Sequence, residues 1–162
     1  MMDPWAAVAG GLAGTVALTT ILRAATELRL TRIDLPFLLG TMFTSSRPLA
    51  KAVGYMAHFA FGLMFALGYF ALFVSLDTSG ALLGAAFGVA HGLFAGTALV
   101  NVLLPVIHPR MGSTLDSARS APLLEEPGFM MLNYGRTTPL VSLVAHVAYG
   151  AIVGAFVQHG VH

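Results

Sequence analysis

The sequence predicts an all-α polytopic membrane protein of four transmembrane helices. Three observations carry this: a scarcity of charge, four long stretches without ionised side chains, and a ladder of glycines along one of them. The 162 residues are 57% apolar and only 9% charged, whereas a soluble domain carries roughly 25% charged residues. Such a chain cannot coat a globule with polar surface, but lipid can serve as its solvent. No Lys, Arg, Asp or Glu occurs between Lys51 and Asp77, between Asp77 and Arg110, or from Thr137 onward. A fourth stretch lies between Asp3 and Arg23. Each exceeds the roughly 17 residues that a spanning helix needs. The expected spans are 5–25, 52–75, 80–105 and 138–158. They form one domain over 1–162, with connections 26–51 and 106–137.

The ladder is Gly80, Gly84, Gly88, Gly92 and Gly96. Positions four apart stack along one side of a helix. Glycine is a poor helix former in water. Between membrane helices, small residues at this spacing let two backbones pack closely. Gly62, Gly150 and Gly154 on the neighbouring spans are expected to join the same packing.

In order, span one carries Gly11, Thr15, Thr19, Arg23 and Glu27 on one slowly drifting face. This reads as a packing seam whose hydroxyls bond back to their own carbonyls, with an Arg–Glu pair at its exit. A polar pathway would need a facing partner. The first connection contains IDLPFLLGTMF (33–43), apolar but too short to span. Asp34 before Pro36 suits a helix start, and the piece reads as interfacial rather than re-entrant. Span two sets Gly54, His58, Gly62 and Ala66 at fourth positions, with Phe59, Phe61, Phe65, Tyr69 and Phe70 over much of the rest. A tight turn around Asp77 makes spans two and three antiparallel neighbours. Pro105 is expected to end span three. The second connection ends in a short apolar piece, GFMMLNYG. Span four sets Ser142, His146, Gly150 and Gly154 at fourth positions. A weak two-fold repeat of helix pairs is visible: GGLAG against GALLG, then AHFAFG (57–62) against AHVAYG (145–150).

All eight basic residues lie in or beside the two longer connections. The positive-inside tendency places those connections in the cytoplasm and both termini outside. The start lacks a basic n-region and reads as an N-out anchor rather than a cleaved signal.

His58, His91 and His146 lie inside spans, where ionisable residues are functional hypotheses by default. Each sits on a small-residue face between helices. Three readings stay open. The imidazoles are neutral and bonded to a carbonyl or a hydroxyl such as Tyr55 or Tyr149. Alternatively they ligate a transition metal or haem, which imidazole suits. Or they line an ion pathway. His108 is expected in a loop near headgroups, with His159, His162, Glu125 and Glu126 solvated. The chain has no Cys, which excludes disulfides and thiolate chemistry. Its net charge of +1 argues against nucleic acid. No catalytic signature is present, so no catalytic residue is expected.

Residues 33–43, 107–111 (IHPRM) and 128–150 (GFMMLNYGRTTPLVSLVAHVAYG) resemble a group of small four-span bacterial membrane proteins of unknown function. The resemblance covers most of the chain. It implies a bacterial inner-membrane protein of four helices, and brings no activity and no site residue. The expected role is a non-enzymatic membrane module with a histidine cluster for metal, haem or ion passage. The alternative is an accessory subunit that acts through packing with itself or in a larger membrane complex.

The absence of cysteine makes the orientation directly measurable. A single cysteine at Thr78 should react with an impermeant maleimide on intact cells, and one at Ser45 only after permeabilisation. The reverse pattern would invert the topology.

Overall fold

The computed structural model describes residues 2–109 and 124–160. Arg110, Asp116, Arg119 and His162 lie outside the described residues. The chain is all-α, and four of its helices are long and apolar enough to cross a membrane: Pro4–Glu27, Arg47–Ser75, Ala81–Ile107 and Thr138–His159. We refer to them as spans one to four. The chain is thus a membrane protein in composition and in architecture.

Each start has a local cause. Asp3 caps span one by accepting from the Trp5 amide at 2.9 Å, and Pro4 follows at a position whose missing N–H costs nothing. Pro48 and Pro139 stand one residue further in, still in the first turn of spans two and four, where the N–H would also lack a partner within the helix. Span two begins earlier than the charge pattern suggested, because Arg47 and Lys51 fit on its first turns, where cations reach the polar boundary. Lys51 meets Asp34 there at 3.2 Å.

Span three runs past Pro105 to Ile107, where an end at the proline was expected. Proline cannot donate to the preceding turn, and its ring crowds the carbonyl four residues back. The helix widens to π geometry over Ala95–Leu103 immediately before it, then closes with one α-turn, Leu104–Ile107.

The spans form a ring in chain order. Span one packs on spans two and four, and span four packs on span three. The glycine ladder lies against span four, glycine upon glycine. A methyl at Gly84 would strike the Gly150 carbonyl, one at Gly150 the Gly84 carbonyl, and one at Gly154 the Gly80 carbonyl. Gly88 abuts the His146 carbonyl, and Gly92 abuts Leu143 and the His146 Cβ. Gly96 leaves this seam and meets Met130. Gly62 packs on Thr15 of span one, not on the ladder.

Spans two and three are antiparallel neighbours, but they meet through rings rather than backbones. Phe73 stacks on Phe87 at 5.2 Å, and Tyr69 meets Phe87 edge-on at 5.5 Å. Aromatic bulk holds these two helices apart, while glycine draws spans three and four together.

The expected seam of span one is present. Thr15 donates to the Gly11 carbonyl at 2.7 Å, Thr19 to the Thr15 carbonyl at 2.6 Å, and Arg23 pairs with Glu27 at 2.8 Å. The first apolar piece forms a short helix, Leu35–Gly40, capped by Asp34, which accepts from the Phe37 amide at 3.1 Å. It lies directly on span two, where Gly54 admits the Pro36 carbonyl and Gly40 admits the Ala50 carbonyl. The second piece is a 3₁₀ turn, Phe129–Tyr134, with Met130 and Met131 at φ 52° and 61°. Such left-handed conformations are strained outside glycine and need support. Asn133 donates to the Glu126 carbonyl, and the Arg32 amide to the Tyr134 carbonyl. Tyr134 donates to the Glu125 carbonyl at 2.8 Å. Burial, with Glu125 adding to it and Arg32 opposing, pushes that phenol up to about 12, so it remains a donor at neutral pH.

Gly150→Ala should destabilise the protein by about 1–3 kcal/mol, the usual cost of overpacking a tight site. Gly68, with no neighbour within 4 Å, supplies the control: Gly68→Ala should cost nothing. Thermal unfolding of the two variants in the same detergent would decide. Equal melting points would remove the backbone contact as the source of stability.

Candidate functional site

Side chains two to three turns into spans two and four, and midway along span three, converge on one apolar cavity. At 1.5 Å per residue, His58 lies about 16 Å from Arg47, and His146 about 12 Å from Thr138. His91 projects from the ladder helix toward both. Its ring stacks on Phe65 at 3.9 Å and meets His146 edge-on at 4.7 Å. The expectation that His91 faces other helices rather than lipid is met.

The three rings differ in their hydrogen bonds. The His146 Nδ1 lies 2.7 Å from the Ser142 carbonyl, one turn earlier on the same helix. A carbonyl can only accept, so Nδ1 carries the proton and Nε2 keeps a lone pair. The His91 Nδ1 is 3.3 Å from the Tyr69 hydroxyl. His58 is 8% exposed, and its Nε2 is buried with no hydrogen-bond partner among the described residues. Buried polar atoms nearly always find a partner, so this one marks the site. Tyr149, expected as a possible histidine partner, instead spends its hydroxyl on the Gly62 carbonyl at 2.5 Å.

The cavity measures about 310 Å³. Its polar end is formed by Thr15, His58, His91, Ser142, His146 and Tyr149, and most of the remaining wall is aliphatic or aromatic. Leu35, Leu39 and Met42 contribute to it from the short helix and its end, and Met131 from the 3₁₀ turn. Phe61 and Met64 of span two line one flank, and Leu99, Leu103 and Ile107 of span three another. Beyond the histidines, Tyr69, Phe73, Phe87, Tyr149 and Val153 pack together in the core. A second, smaller cleft of about 40 Å³ approaches His58 from the basic end, lined by Thr19, Arg23, Thr26, Asp34 and Tyr55 among others. The polar line of span one therefore does have a facing element, span two.

Among the described residues, no three His, Cys, Asp or Glu side chains are grouped to hold a metal ion. His108 departs from its expected place. It is 3% exposed, with Nε2 3.1 Å from the Leu38 carbonyl and 3.3 Å from the Thr41 hydroxyl. It ties the end of span three to the short helix instead of facing headgroups. His159 is exposed as expected. Glu125 is half-exposed and lies 3.4 Å from Arg32.

Three contributors escaped the sequence reading. Phe65 and Tyr69 follow His58 and Gly62 at intervals of four, three and four, which is one helical face. That spacing was available, but the aromatics read as general apolar filling. Met131 carried no such signal, because its placement depends on two consecutive left-handed residues.

Tyr149→Phe should cost about 1 kcal/mol through loss of the bond to Gly62, read as a lowered unfolding midpoint with the secondary structure unchanged. An unaltered midpoint would show that this bond contributes nothing net. No family model matches this chain, and no curated protein or solved structure is significantly similar to it.

Proposed function

We propose that this protein is a non-enzymatic ligand-holding module of the bacterial inner membrane, with both termini outside and its basic connections in the cytoplasm. His58, His91 and His146 contact the ligand at the polar end of the cavity. One observation carries this reading: a cavity of about 310 Å³ ends on three histidines of the spans, one of which has a buried nitrogen without a partner among the described residues. Apolar pockets of this size with a few convergent polar groups are the usual form of small-molecule sites.

Ion passage draws less support, because an aromatic core cluster lies beyond the histidines. An accessory role through packing alone also draws less, because most of the glycine ladder is occupied within the chain by span four. Transition metal and haem remain within the ligand-holding reading, since imidazole nitrogens serve both.

Protein purified in mild detergent should carry a ligand, seen as an absorption band, a stoichiometric metal or an extractable small molecule by mass spectrometry. Its occupancy should fall at least tenfold in His58→Ala and His146→Ala variants that remain folded. Occupancy indifferent to both substitutions would reject the histidines as the site.

A further inference from the structure

We infer that the cavity takes a neutral amphiphile whose head donates hydrogen bonds, a hydroxylated ring on an apolar tail. The head lies at the histidines, and the tail leaves between spans two and three. This rests on the ligand-holding reading above and adds the chemical class of the ligand.

The head follows from where the protons already are. At the polar end, Thr15 spends its hydroxyl hydrogen on the Gly11 carbonyl. Tyr149 spends its own on the Gly62 carbonyl. His146 spends its Nδ1 hydrogen on the Ser142 carbonyl. Each of these groups can then only accept from a further partner: two hydroxyl lone pairs and the Nε2 lone pair of an imidazole. Thr15 and Tyr149 already hold one bond each and are only 1% exposed, so the lone pair left for a ligand is that of His146 Nε2, which acceptors alone would leave unanswered. Neutral His58 at the same end carries one N–H and has an Nε2 without a partner among the described residues, so a hydroxyl head, which both donates and accepts, matches the two rings.

The charge follows from what surrounds the site. Spans two to four contain no Asp or Glu, and the cavity wall has no ionised side chain. A cationic donor such as an ammonium, or a divalent metal on neutral imidazoles, would enter a low-dielectric region without a counter-charge. A hydroxyl donates without that cost.

The tail follows from the mouth. Phe61 and Met64 on span two are 45% and 55% exposed, and Leu103 and Ile107 on span three are 47% and 50% exposed. All four also line the cavity. These are apolar residues on spanning helices, so the opening faces lipid, and an apolar chain can pass through it without meeting water. The gap exists because spans two and three are held apart by aromatic rings nearer the turn that joins them.

The test compares two probes that differ in their head alone: a decyl-substituted benzohydroquinone and the corresponding benzoquinone. Both have the same ring and tail, but the first has two hydroxyl donors and the second only carbonyl acceptors. Binding is measured on the full chain in nanodiscs, with the hydroquinone kept reduced under anaerobic conditions; a protein without cysteine tolerates the reductant. The hydroquinone should bind at least fivefold tighter. That preference should shrink to within about twofold in His146→Leu, which removes the acceptor. Leu99→Trp, which fills the cavity and leaves the histidines alone, should abolish binding of both probes.

Equal affinities, or tighter binding of the benzoquinone, would overturn the donor head. Undiminished binding in Leu99→Trp would overturn the location. If neither probe binds but the protein carries a metal or haem lost in His58→Ala, this ligand class falls while the ligand-holding reading stands. If neither probe binds and nothing co-purifies, both fall.

Discussion

Everything in this bundle depends on how closely spans three and four approach. Gly84 and Gly150 each leave room for the other's carbonyl, and Gly154 does the same for Gly80. In lipid, two helices gain little hydrophobic energy by meeting, so contact of this intimacy supplies the attraction through dispersion. The approach has two further effects. It sets the His91 and His146 rings edge to face. It also draws span three away from span two, whose facing residues are Phe65, Tyr69 and Phe73. The cavity is the space left when one helix pair packs by backbone and the adjacent pair by rings.

Several polar groups inside the bundle are satisfied within their own helix, which gives the site its character. Hydroxyls on span one return to carbonyls on span one, and His146 returns to Ser142 one turn earlier. In the absence of water, a helix offers no cheaper partner. The bond from His146 uses its Nδ1 proton and leaves the Nε2 lone pair at the polar end of the cavity. At the opposite end, a short capped helix and a strained 3₁₀ turn bring Leu35 and Met131 to the wall. Their backbones are held by Asp34, Asn133 and Tyr134.

Much of the fold was legible from residue spacing. Length and charge marked four spans, because a charge within a span costs more than helix propensity can offset. The fourth-residue spacing of glycine foretold a groove, and the arc containing His91 foretold that this ring would face inward. The partner of each groove was not legible. Gly62 and Gly150 occupy equivalent places in AHFAFG and AHVAYG, yet one meets Thr15 and the other Gly84. Spacing reports which face is small, not which helix lies against it. His108 was misplaced for a similar reason. Its burial depends on a carbonyl at Leu38, seventy residues away, and nothing local marks it. The π-helical stretch before Pro105 likewise shows that a proline can be absorbed by widening a helix as well as by ending it.

The ring order of the spans has a topological consequence. Span one lies beside span four, with Gly10 against Val153 and Phe156 near the ends of both helices. The start of the first helix and the finish of the last therefore come together on the side of the bundle that also holds the Asp77 turn. Joining the former by a short linker and opening the latter would reorder the helices as three, four, one, two, with every contact kept. Circular permutation is tolerated where the ends are close and the cut falls in an exposed turn. The two helical hairpins are thus interchangeable in order, and the fold belongs to the ring rather than to the direction in which the chain is read.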